Sequence, residues 1–493
     1  MSSQRKNSFL SGSDIPSLEK LPNGIATYLY GYPLVITGVT EQRSTNSVAT
    51  PSSGAAPINQ FGKQLEFPSV EFAAVVLPST STLYNSAFLN LKKEPLILHL
   101  PDFGNRFFQM PILDGWTNVN PDSPSTRMGS PEGEYVIVGP NDNRDYSGEG
   151  RMVIKMATET AWIVGRIFSD GTDKDLAYIN EKLYPYLTLT PWSKRNDKNY
   201  QPPTDLPFDP FVALFSTPNV VIQEMNAATF FTKLAAMMNY NAPILPQDEK
   251  MVARLKAIGF NFDDGVSFDY AKLSEEAKAN LDKEVEQAKK YLEVRPLSEE
   301  IITTGWSFPT DESLADYGID YNYRAKIARW ALGANPVPDV VYGYAKGEYL
   351  HGDNTYSLTF DTLPPVSSKA FWSVTIYNSD GTLVYNEEAE KAGVHYNAIG
   401  VPNVQDHTPF LTNDGTSITL RLQSMPPEDR DSPEFQNWLP IPLVPDSLGS
   451  KNFIVFLRMY IADLETVDGH YVIRDGNYVL KGDWFPGEIK QID

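Results

Sequence analysis

The sequence predicts a mainly β fold with a helical insert, in which two antiparallel, jelly-roll-like β-sandwich domains are joined by an α-helical segment. The 493 residues exceed what a single hydrophobic core usually serves. The 38 prolines and 32 glycines favour a fold rich in turns. Apolar residues recur with a period of two in the outer parts of the chain and with a helical period between them. We therefore predict four segments: a flexible N-terminal arm at 1–24, an N-terminal β-domain at 25–205, a helical connecting segment at 206–338 and a C-terminal β-sandwich at 339–493.

The segment 25–42 fits either a helix or a strand. Ala26, Leu29 and Tyr30 have helical spacing, but Pro33 disfavours a helix interior. A low-complexity loop rich in Ser, Thr, Ala and Pro follows at 43–64. Between 65 and 200 the period is two, and several runs are apolar on both faces, as in strands that are covered on both sides. These runs are Leu96–Leu100, Arg106–Asp114, Glu134–Val138 and Thr160–Phe168.

The middle of the chain has the period of helices, which we predict at 226–238, 247–258, 270–294 and 321–332. Acidic residues begin the second of these and Gly259 ends it, as is typical of helix ends. Beyond 340 polar and apolar residues alternate again, and Asp-Gly pairs indicate tight hairpin turns. They are Asp380-Gly381, Asp414-Gly415, Asp468-Gly469 and Asp475-Gly476.

The composition excludes several classes of function. A net charge of −21 repels phosphate backbones and anionic lipids, so we expect no nucleic acid and no membrane as partner. The absence of cysteine excludes disulfides and thiolate chemistry. No apolar run of about 20 residues exists that could cross a bilayer, and no signal peptide is recognised. A cytoplasmic location is the default, and a secreted or periplasmic one stays open if a leader was removed.

The five histidines are scattered, and we predict no metal and no cofactor. His395 and His407 lie 12 residues apart with Asp406 beside the second, which leaves a metal site as the alternative. No nucleotide-binding loop, zinc-protease motif or nucleophile elbow occurs in the sequence.

Two arginines within apolar strands are the strongest candidates for a site. Arg458 shares a strand face with Ile454, Phe456 and Tyr460, and Arg166 lies on a similar face beside Trp162. A buried guanidinium needs an anionic or carbonyl partner. Either a core carboxylate neutralises it, which makes it structural, or it binds a ligand.

Three further candidates are Arg106, Asp114 and Trp438. Arg106 and Asp114 are expected at opposite ends of one strand, roughly 26 Å apart, where loops build sites. Trp438 and Trp372 could form a platform for a ring or sugar, although Trp372 alternates with Val374 like a core residue.

The chain resembles proteins that pair domain of unknown function 1254 with domain of unknown function 1214. The N-terminal resemblance lies in Tyr30-Gly-Tyr-Pro33, Thr82-Leu-Tyr84, Ile112-Leu-Asp-Gly-Trp-Thr-Asn118 and Val138-Gly-Pro140. The C-terminal resemblance lies in Arg324-Ala-Lys-Ile-Ala, Leu332-Gly-Ala-Asn335, Tyr356–Phe360, Leu363-Pro-Pro365, Phe371–Tyr377, Asn437-Trp-Leu-Pro440 and Arg458-Met-Tyr460.

The resemblance implies two β-sandwich domains with helices between them, but it implies no reaction. It adds Tyr84 to the candidate ligand-binding residues. Ser81 stands where the family usually carries an acid, which puts any chemistry of that acid in doubt here. We expect a hydrolase-type or related enzyme that acts on a polar small molecule or carbohydrate in a cleft between the β-domains. The alternative is a non-catalytic ligand-binding or structural protein, and homo-oligomers are compatible with either.

Overall fold

The computed structural model describes most of the chain. The described residues are 18–46, 54–70, 77–129, 132–146, 151–205, 217–293, 305–308, 314–337, 339–345, 350–394, 398–400, 412, 415–447, 449–474 and 477–492.

The N-terminal β-body consists of two sheets that share one hydrophobic core. Its strands are β1 Gly62–Lys63, β2 Thr82–Asn90, β3 Leu96–Leu100, β4 Phe108–Gln109, β5 Ile112–Asp114, β6 Gly133–Val138, β7 Met152–Lys155, β8 Thr160–Phe168 and β9 Thr188–Pro191. One sheet has the order β1-β2-β8-β4 with β5 also on β8, and the other has the order β7-β6-β3-β9. Leu83 and Ile163 of the first sheet and Leu98 and Ile137 of the second belong to the same core.

The C-terminal β-body is built in the same way. Its strands are β12 Trp306–Ser307, β13 Val340–Ala345, β14 Tyr356–Phe360, β15 Trp372–Asn378, β16 Ala398–Gly400, β17 Ile418–Gln423, β18 Trp438–Pro440, β19 Phe453–Tyr460 and β24 Ile489–Gln491. One sheet has the order β12-β13-β19-β15-β16, and the other has the order β18-β17-β14-β24. Their shared core includes Trp372, Val374, Leu420 and Leu457, so Trp372 is a core residue.

Most strand pairs are antiparallel, as predicted, but each body contains a parallel pair. Strand β6 pairs with β7 and β17 pairs with β18 in parallel. The run 106–114, expected as one strand, is two short strands, and both pair with β8. Pro111 lies between them, where a missing backbone N–H interrupts the ladder. The jelly-roll connectivity stays a prediction.

The remaining strands form small hairpins: β10 Phe260–Asn261 with β11 Ser267–Phe268, β20 Thr466–Val467 with β21 His470–Tyr471, and β22 Ile473–Arg474 with β23 Asn477–Tyr478. Asp468 and Gly469 link β20 to β21 with positive φ at both residues, as the Asp-Gly pattern predicts. Gly381 also has positive φ. The other two Asp-Gly pairs include residues outside the described part of the chain.

The segment 25–42 is helical, which decides between the two alternatives left open by the sequence. The helices are α1 Asn23–Ser44, α2 Asp173–Tyr178, α3 Pro218–Gln223, α4 Ala227–Met238, α5 Glu249–Ala257, α6 Glu275–Glu293, α7 Tyr321–Trp330, α8 Glu387–Ala392 and α9 Pro433–Gln436. Helix α1 packs against α3, α4, α5, α6 and α7 in one helical core. Thus α1, which the sequence grouped with the N-terminal β-domain, packs with the helical segment.

Helix α1 is buried on all sides from Gly24 to Thr40, as expected for a helix at the centre of a core. Gly31 allows the close approach of α4, because a Cβ atom there would lie 2.4 Å from Cδ2 of Leu234. The hydroxyl of Tyr30 donates a hydrogen bond of 2.8 Å to Asp248 before α5. Among the described helices, none combines the length and the apolar character that crossing a bilayer requires.

Lys326 of α7 is a buried cation in this helical body. Its ammonium lies 4.8 Å from the ring centre of Tyr291. Burial lowers the pKa of Lys326 from its usual 10.5 to about 8, and the charge of Asp320 opposes the shift. The unfolded chain therefore binds more protons than the folded one between these two pH values, so this residue makes stability rise with pH across that window.

We predict that Lys326→Met is more stable than the wild type at neutral pH by up to about 3 kcal/mol. The difference should shrink as the pH approaches 10.5, because the wild-type lysine is then neutral in both states. Urea denaturation of both proteins at several pH values measures this. Lys289 is the control, since its ammonium donates to the carbonyl oxygen of Gln223 and to Glu286, both at 2.8 Å. Lys289→Met should lose stability at neutral pH, and a pH-independent gap for Lys326→Met would contradict the prediction.

Candidate functional site

A cavity of about 110 Å³ lies where the two β-bodies and helix α7 meet. The N-terminal body contributes Tyr84 and Arg166, and the C-terminal body contributes Arg458 and Tyr460. Helix α7 and the loop after it form a third wall, which includes Tyr323, Ile327, Trp330 and the run 331–335. The cavity thus brings together three residues that the sequence singled out: Tyr84, Arg166 and Arg458.

Strand parity explains why these residues meet. In β19 the odd-numbered Val455, Leu457 and Met459 face the core between the C-terminal sheets. The even-numbered Arg458 and Tyr460 consequently lie on the outer face of that body.

In β8, Ile163 and Ile167 face the N-terminal core, and Arg166 lies on the outer face. The two β-bodies therefore meet through their outer faces, and each contributes one arginine to the contact.

Arg458 is buried and its guanidinium has no carboxylate partner within the described residues. It is 4% exposed. Its Nη2 donates a hydrogen bond of 2.7 Å to the carbonyl oxygen of Leu77, and its carbon Cζ lies 4.4 Å from the ring centre of Phe456. Its Nη1 has no hydrogen-bond partner among the described residues. Arg458 thus lies on the outer face of the C-terminal β-body.

Arg166 is also buried, at 7% exposure, but neutral acceptors occupy its donors. Its Nη1 donates to the carbonyl oxygen of Val164 at 3.1 Å and to Oδ1 of Asn335 at 3.3 Å. Its Nη2 donates to the carbonyl oxygen of Gly333 at 3.1 Å. Gly333 has a φ of 82°, a conformation that favours glycine and that turns the chain after α7. The guanidinium also lies 5.2 Å from the ring centre of Tyr84.

Two tyrosine hydroxyl groups of the cavity wall are hydrogen-bonded to Ser79. The backbone N–H of Ser79 donates to the hydroxyl of Tyr84 at 2.9 Å, and the hydroxyls of Ser79 and Tyr460 share a hydrogen bond of 2.8 Å. Burial raises the pKa of Tyr460 well above its usual value, although the charges of Arg458 and Arg166 oppose the rise. Tyr460 is therefore neutral at physiological pH and does not neutralise either arginine.

Further polar atoms without partners are buried on the same two faces. Gln109 is the neighbour of Arg166 across the strands, and both its amide atoms lack a hydrogen-bond partner among the described residues. Ser373 is the neighbour of Arg458, and its hydroxyl is likewise without a described partner. Buried polar side-chain atoms usually have a hydrogen-bond partner, so both positions are candidates for contact with water or a ligand. Aromatic side chains pack beside these polar residues at the contact between the two β-bodies. The ring centres of Phe107 and Tyr460 lie 5.2 Å apart.

The other three candidates lie elsewhere. Arg106 forms an ion pair with Asp175 of α2 and lines a separate cleft of about 400 Å³. Asp114 accepts hydrogen bonds of 2.9 Å from the backbone of Trp116 and from the side chain of Asn118, and it stabilises the turn after β5. Trp438 is buried, and its Nε1 donates to the carbonyl oxygen of Gln423 at 2.9 Å. Their roles as ligand contacts stay predictions.

Sequence reasoning missed Ser79, Tyr342 and Asn335 as cavity residues. The backbone and side-chain nitrogens of Asn335 donate to the hydroxyl of Tyr342 at 3.1 and 2.8 Å, which fixes the loop that holds Arg166. Asn335 lies in one of the motifs quoted for the family resemblance, and Ser79 is two residues from Ser81. The sequence motifs therefore pointed to Asn335 directly and to the neighbourhood of Ser79.

A third buried arginine, Arg324, was quoted only as part of a family motif. It is fully buried, and none of its three guanidinium nitrogens has a hydrogen-bond partner among the described residues. Its Cζ lies 5.5, 5.2 and 5.1 Å from the ring centres of Tyr30, Trp116 and Tyr321. Burial raises the pKa of Asp114, and hydrogen bonds from Asn118 and the charge of Arg324 oppose the rise. Arg324 thus lies in the helical core and does not line the cavity.

No group of three side chains suited to hold a metal ion occurs within the described ranges. His99 is paired with Glu134 at 3.0 Å, and burial lowers its pKa. His395 and His407, the alternative metal site, lie outside the described residues.

Two family models match the chain. The first, a protein of unknown function (DUF1254), matches residues 58–191, and the second, a protein of unknown function (DUF1214), matches residues 342–463. The chain belongs to the family that carries these two domains in tandem, as the quoted motifs indicated. Each matched segment coincides with one of the two β-bodies that flank the cavity.

The chain is similar in structure to the VPA0106 protein from Vibrio parahaemolyticus. The two share 19% sequence identity, with 96% of this chain and 100% of that chain covered and a TM-score of 0.59, so the likeness concerns the fold. An uncharacterised protein from Burkholderia cenocepacia matches at 12% identity over 94% of this chain and 87% of its own, with a TM-score of 0.41. The comparison with curated proteins found no match.

We predict that Arg458→Met lowers the free energy of unfolding by no more than about 1 kcal/mol, because no described carboxylate loses its partner. Arg106→Met is the matched control. It removes the partner of Asp175, whose side chain is 14% exposed, and should cost about 3 kcal/mol. Urea denaturation of the two variants measures both effects. If Arg458→Met were as costly as Arg106→Met, Arg458 would have a structural partner and the candidate site would lose its main support.

Proposed function

We propose that the cavity between the β-bodies is the ligand-binding site of this protein and that its ligand is a small molecule with an apolar body and one polar group. The observation that carries the proposal is Arg458, a buried guanidinium beside a cavity, with Nη1 unpartnered among the described residues. Burying such a group without a partner is costly, and a bound molecule offsets that cost.

The size and lining of the cavity support a compact ligand. A volume of about 110 Å³ is of the same order as that of an apolar cavity of about 150 Å³ that binds benzene. Aromatic and aliphatic side chains such as Leu314, Ile327 and Phe456 form much of the wall. This apolar part of the wall favours a ligand with an apolar body, and the small volume favours one ring over an oligosaccharide. Each β-body, which we propose is a jelly-roll-like sandwich, supplies one wall.

Binding without turnover is the function we favour over a hydrolase. Ser79 lines the cavity, and its hydroxyl group shares a hydrogen bond with the hydroxyl of Tyr460. The raised pKa of Tyr460 makes this tyrosine a poor general base at neutral pH. The described lining includes no carboxylate and no histidine that could take that role. Hydrolase activity, our expectation from the sequence, stays the second candidate, with Ser79 as its nucleophile.

We predict that Ala334→Phe abolishes binding in the cavity. Ala334 lines the cavity, and a phenyl ring at this position would fill the volume that we propose for the ligand. Isothermal titration with benzamide as the probe, a neutral ring with one polar group, measures the affinity. Ala271→Phe is the control, because Ala271 is exposed and lies outside the cavity lining. Equal benzamide affinity in wild type and Ala334→Phe would place the binding site elsewhere.

We predict that Ser79→Ala leaves benzamide affinity within about threefold of the wild type, a difference below about 1 kcal/mol. The reason is that Ser79 supplies one neutral hydrogen bond at most. The same variant should also show no change in the hydrolysis of p-nitrophenyl acetate. Loss of an esterase activity that the wild type has and Ser79→Ala lacks would favour the hydrolase instead.

A further inference from the structure

We infer that the ligand of the cavity is an anion, namely a small carboxylate on an apolar body no larger than one ring, and that Arg458 selects for its charge. This inference rests on the proposed function and adds the charge of the ligand to it. Hydrogen bonding alone does not distinguish an anionic ligand from a neutral carbonyl compound. The inference distinguishes the two by the charge of the ligand.

The charge balance of the cavity is the first argument. Arg166 and Arg458 both line it, and neither lies within ion-pair distance of a described carboxylate. Their described partners are neutral: carbonyl oxygens, the amide of Asn335 and aromatic rings. Arginine stays protonated in proteins, so the described wall carries two positive charges. In a low-dielectric site both charges attract an anion, and a neutral carbonyl compound gains much less.

The difference between the two arginines is the second argument. The donors of Arg166 already reach three oxygen atoms, so this side chain is held in place by the protein. Arg458 donates to the carbonyl oxygen of Leu77 and interacts with the hydroxyl of Tyr377, and its Nη1 has no hydrogen-bond partner among the described residues. A hydrogen bond between ionised groups is roughly twice as strong as one between neutral groups. Arg458 is therefore the side chain that gains most from a carboxylate.

The surroundings of Arg458 are the third argument. Its neighbour Ser373 has a hydroxyl without a described partner, which can donate to an anionic oxygen. The rings of Phe456 and Tyr377, 4.4 and 5.6 Å from the guanidinium carbon, prevent water from solvating the charge on those sides. A cation stabilised only in part by ring faces, one carbonyl oxygen and one neutral hydroxyl group retains most of its affinity for an anion.

The test compares benzoate with benzamide, which have nearly the same shape and differ in charge. Isothermal titration at neutral pH and low salt measures both affinities for the wild type, Arg458→Met and Arg458→Lys. We expect benzoate to bind the wild type at least about tenfold more tightly than benzamide, which corresponds to about 1.4 kcal/mol. Arg458→Met should weaken benzoate binding much more than benzamide binding, which reduces this preference to less than about twofold, and Arg458→Lys should restore part of it.

The control is Arg474→Met, which removes the same charge at an exposed position outside the cavity. It should leave the preference for benzoate unchanged. If benzamide binds the wild type as tightly as benzoate, or if the preference survives Arg458→Met, the inference is wrong and the binding function stands. If neither probe binds, the proposed function fails and the inference with it. Thermal melting of each variant shows that a lost preference does not come from unfolding.

Discussion

Three buried guanidinium groups that have no carboxylate partner among the described residues are the constraint on which this structure depends. Arg166, Arg324 and Arg458 are 7%, 0% and 4% exposed, and none lies within ion-pair distance of a described carboxylate. A buried charge of this kind is costly, and arginine cannot lose its proton to avoid the cost. Aromatic rings lie beside all three charges, and carbonyl oxygens accept hydrogen bonds from Arg166 and Arg458. Arg166 and Arg458 lie at the contact between the two β-bodies, and Arg324 lies in the helical core.

Helix α7 connects these contacts. Its Tyr321, Ala325 and Ala328 belong to the helical core around α1, whereas its Tyr323 and Ile327 belong to the core of the C-terminal β-body. The same two residues line the cavity. The loop that follows α7 carries the carbonyl oxygen of Gly333 that fixes Arg166. The packing of the helical body thereby sets the shape of the cavity, although most of its helices do not reach it.

The cavity results from the way the two β-bodies share a contact. The inner faces of each β-body form its own core. The contact between the two bodies therefore uses their outer faces, where polar and aromatic side chains lie together. At one end Phe107 packs on Tyr460 and excludes water. Beside it lie Arg166, Arg458 and the amide of Gln109, which has no partner among the described residues. A fully apolar contact would be more stable. Retaining buried charge here is understandable if a ligand completes the site.

The sequence by itself determined the class of fold and the candidate arginines. Period-two runs predicted β8 and β19, and their parity placed Arg166 and Arg458 on one face each, because alternation in a strand is a local property. Composition excluded thiolate chemistry, because the absence of cysteine can be established without knowing which residues are neighbours in the fold. Only the tertiary structure decided whether α1 is a helix, because burial on all sides overrides the signal of Pro33. Only the tertiary structure brought Tyr84, Arg166 and Arg458 to one cavity and left Trp438 and Asp114 outside it. These residues are far apart in the chain, and their meeting depends on which outer faces of the two bodies pack together, which no local pattern encodes.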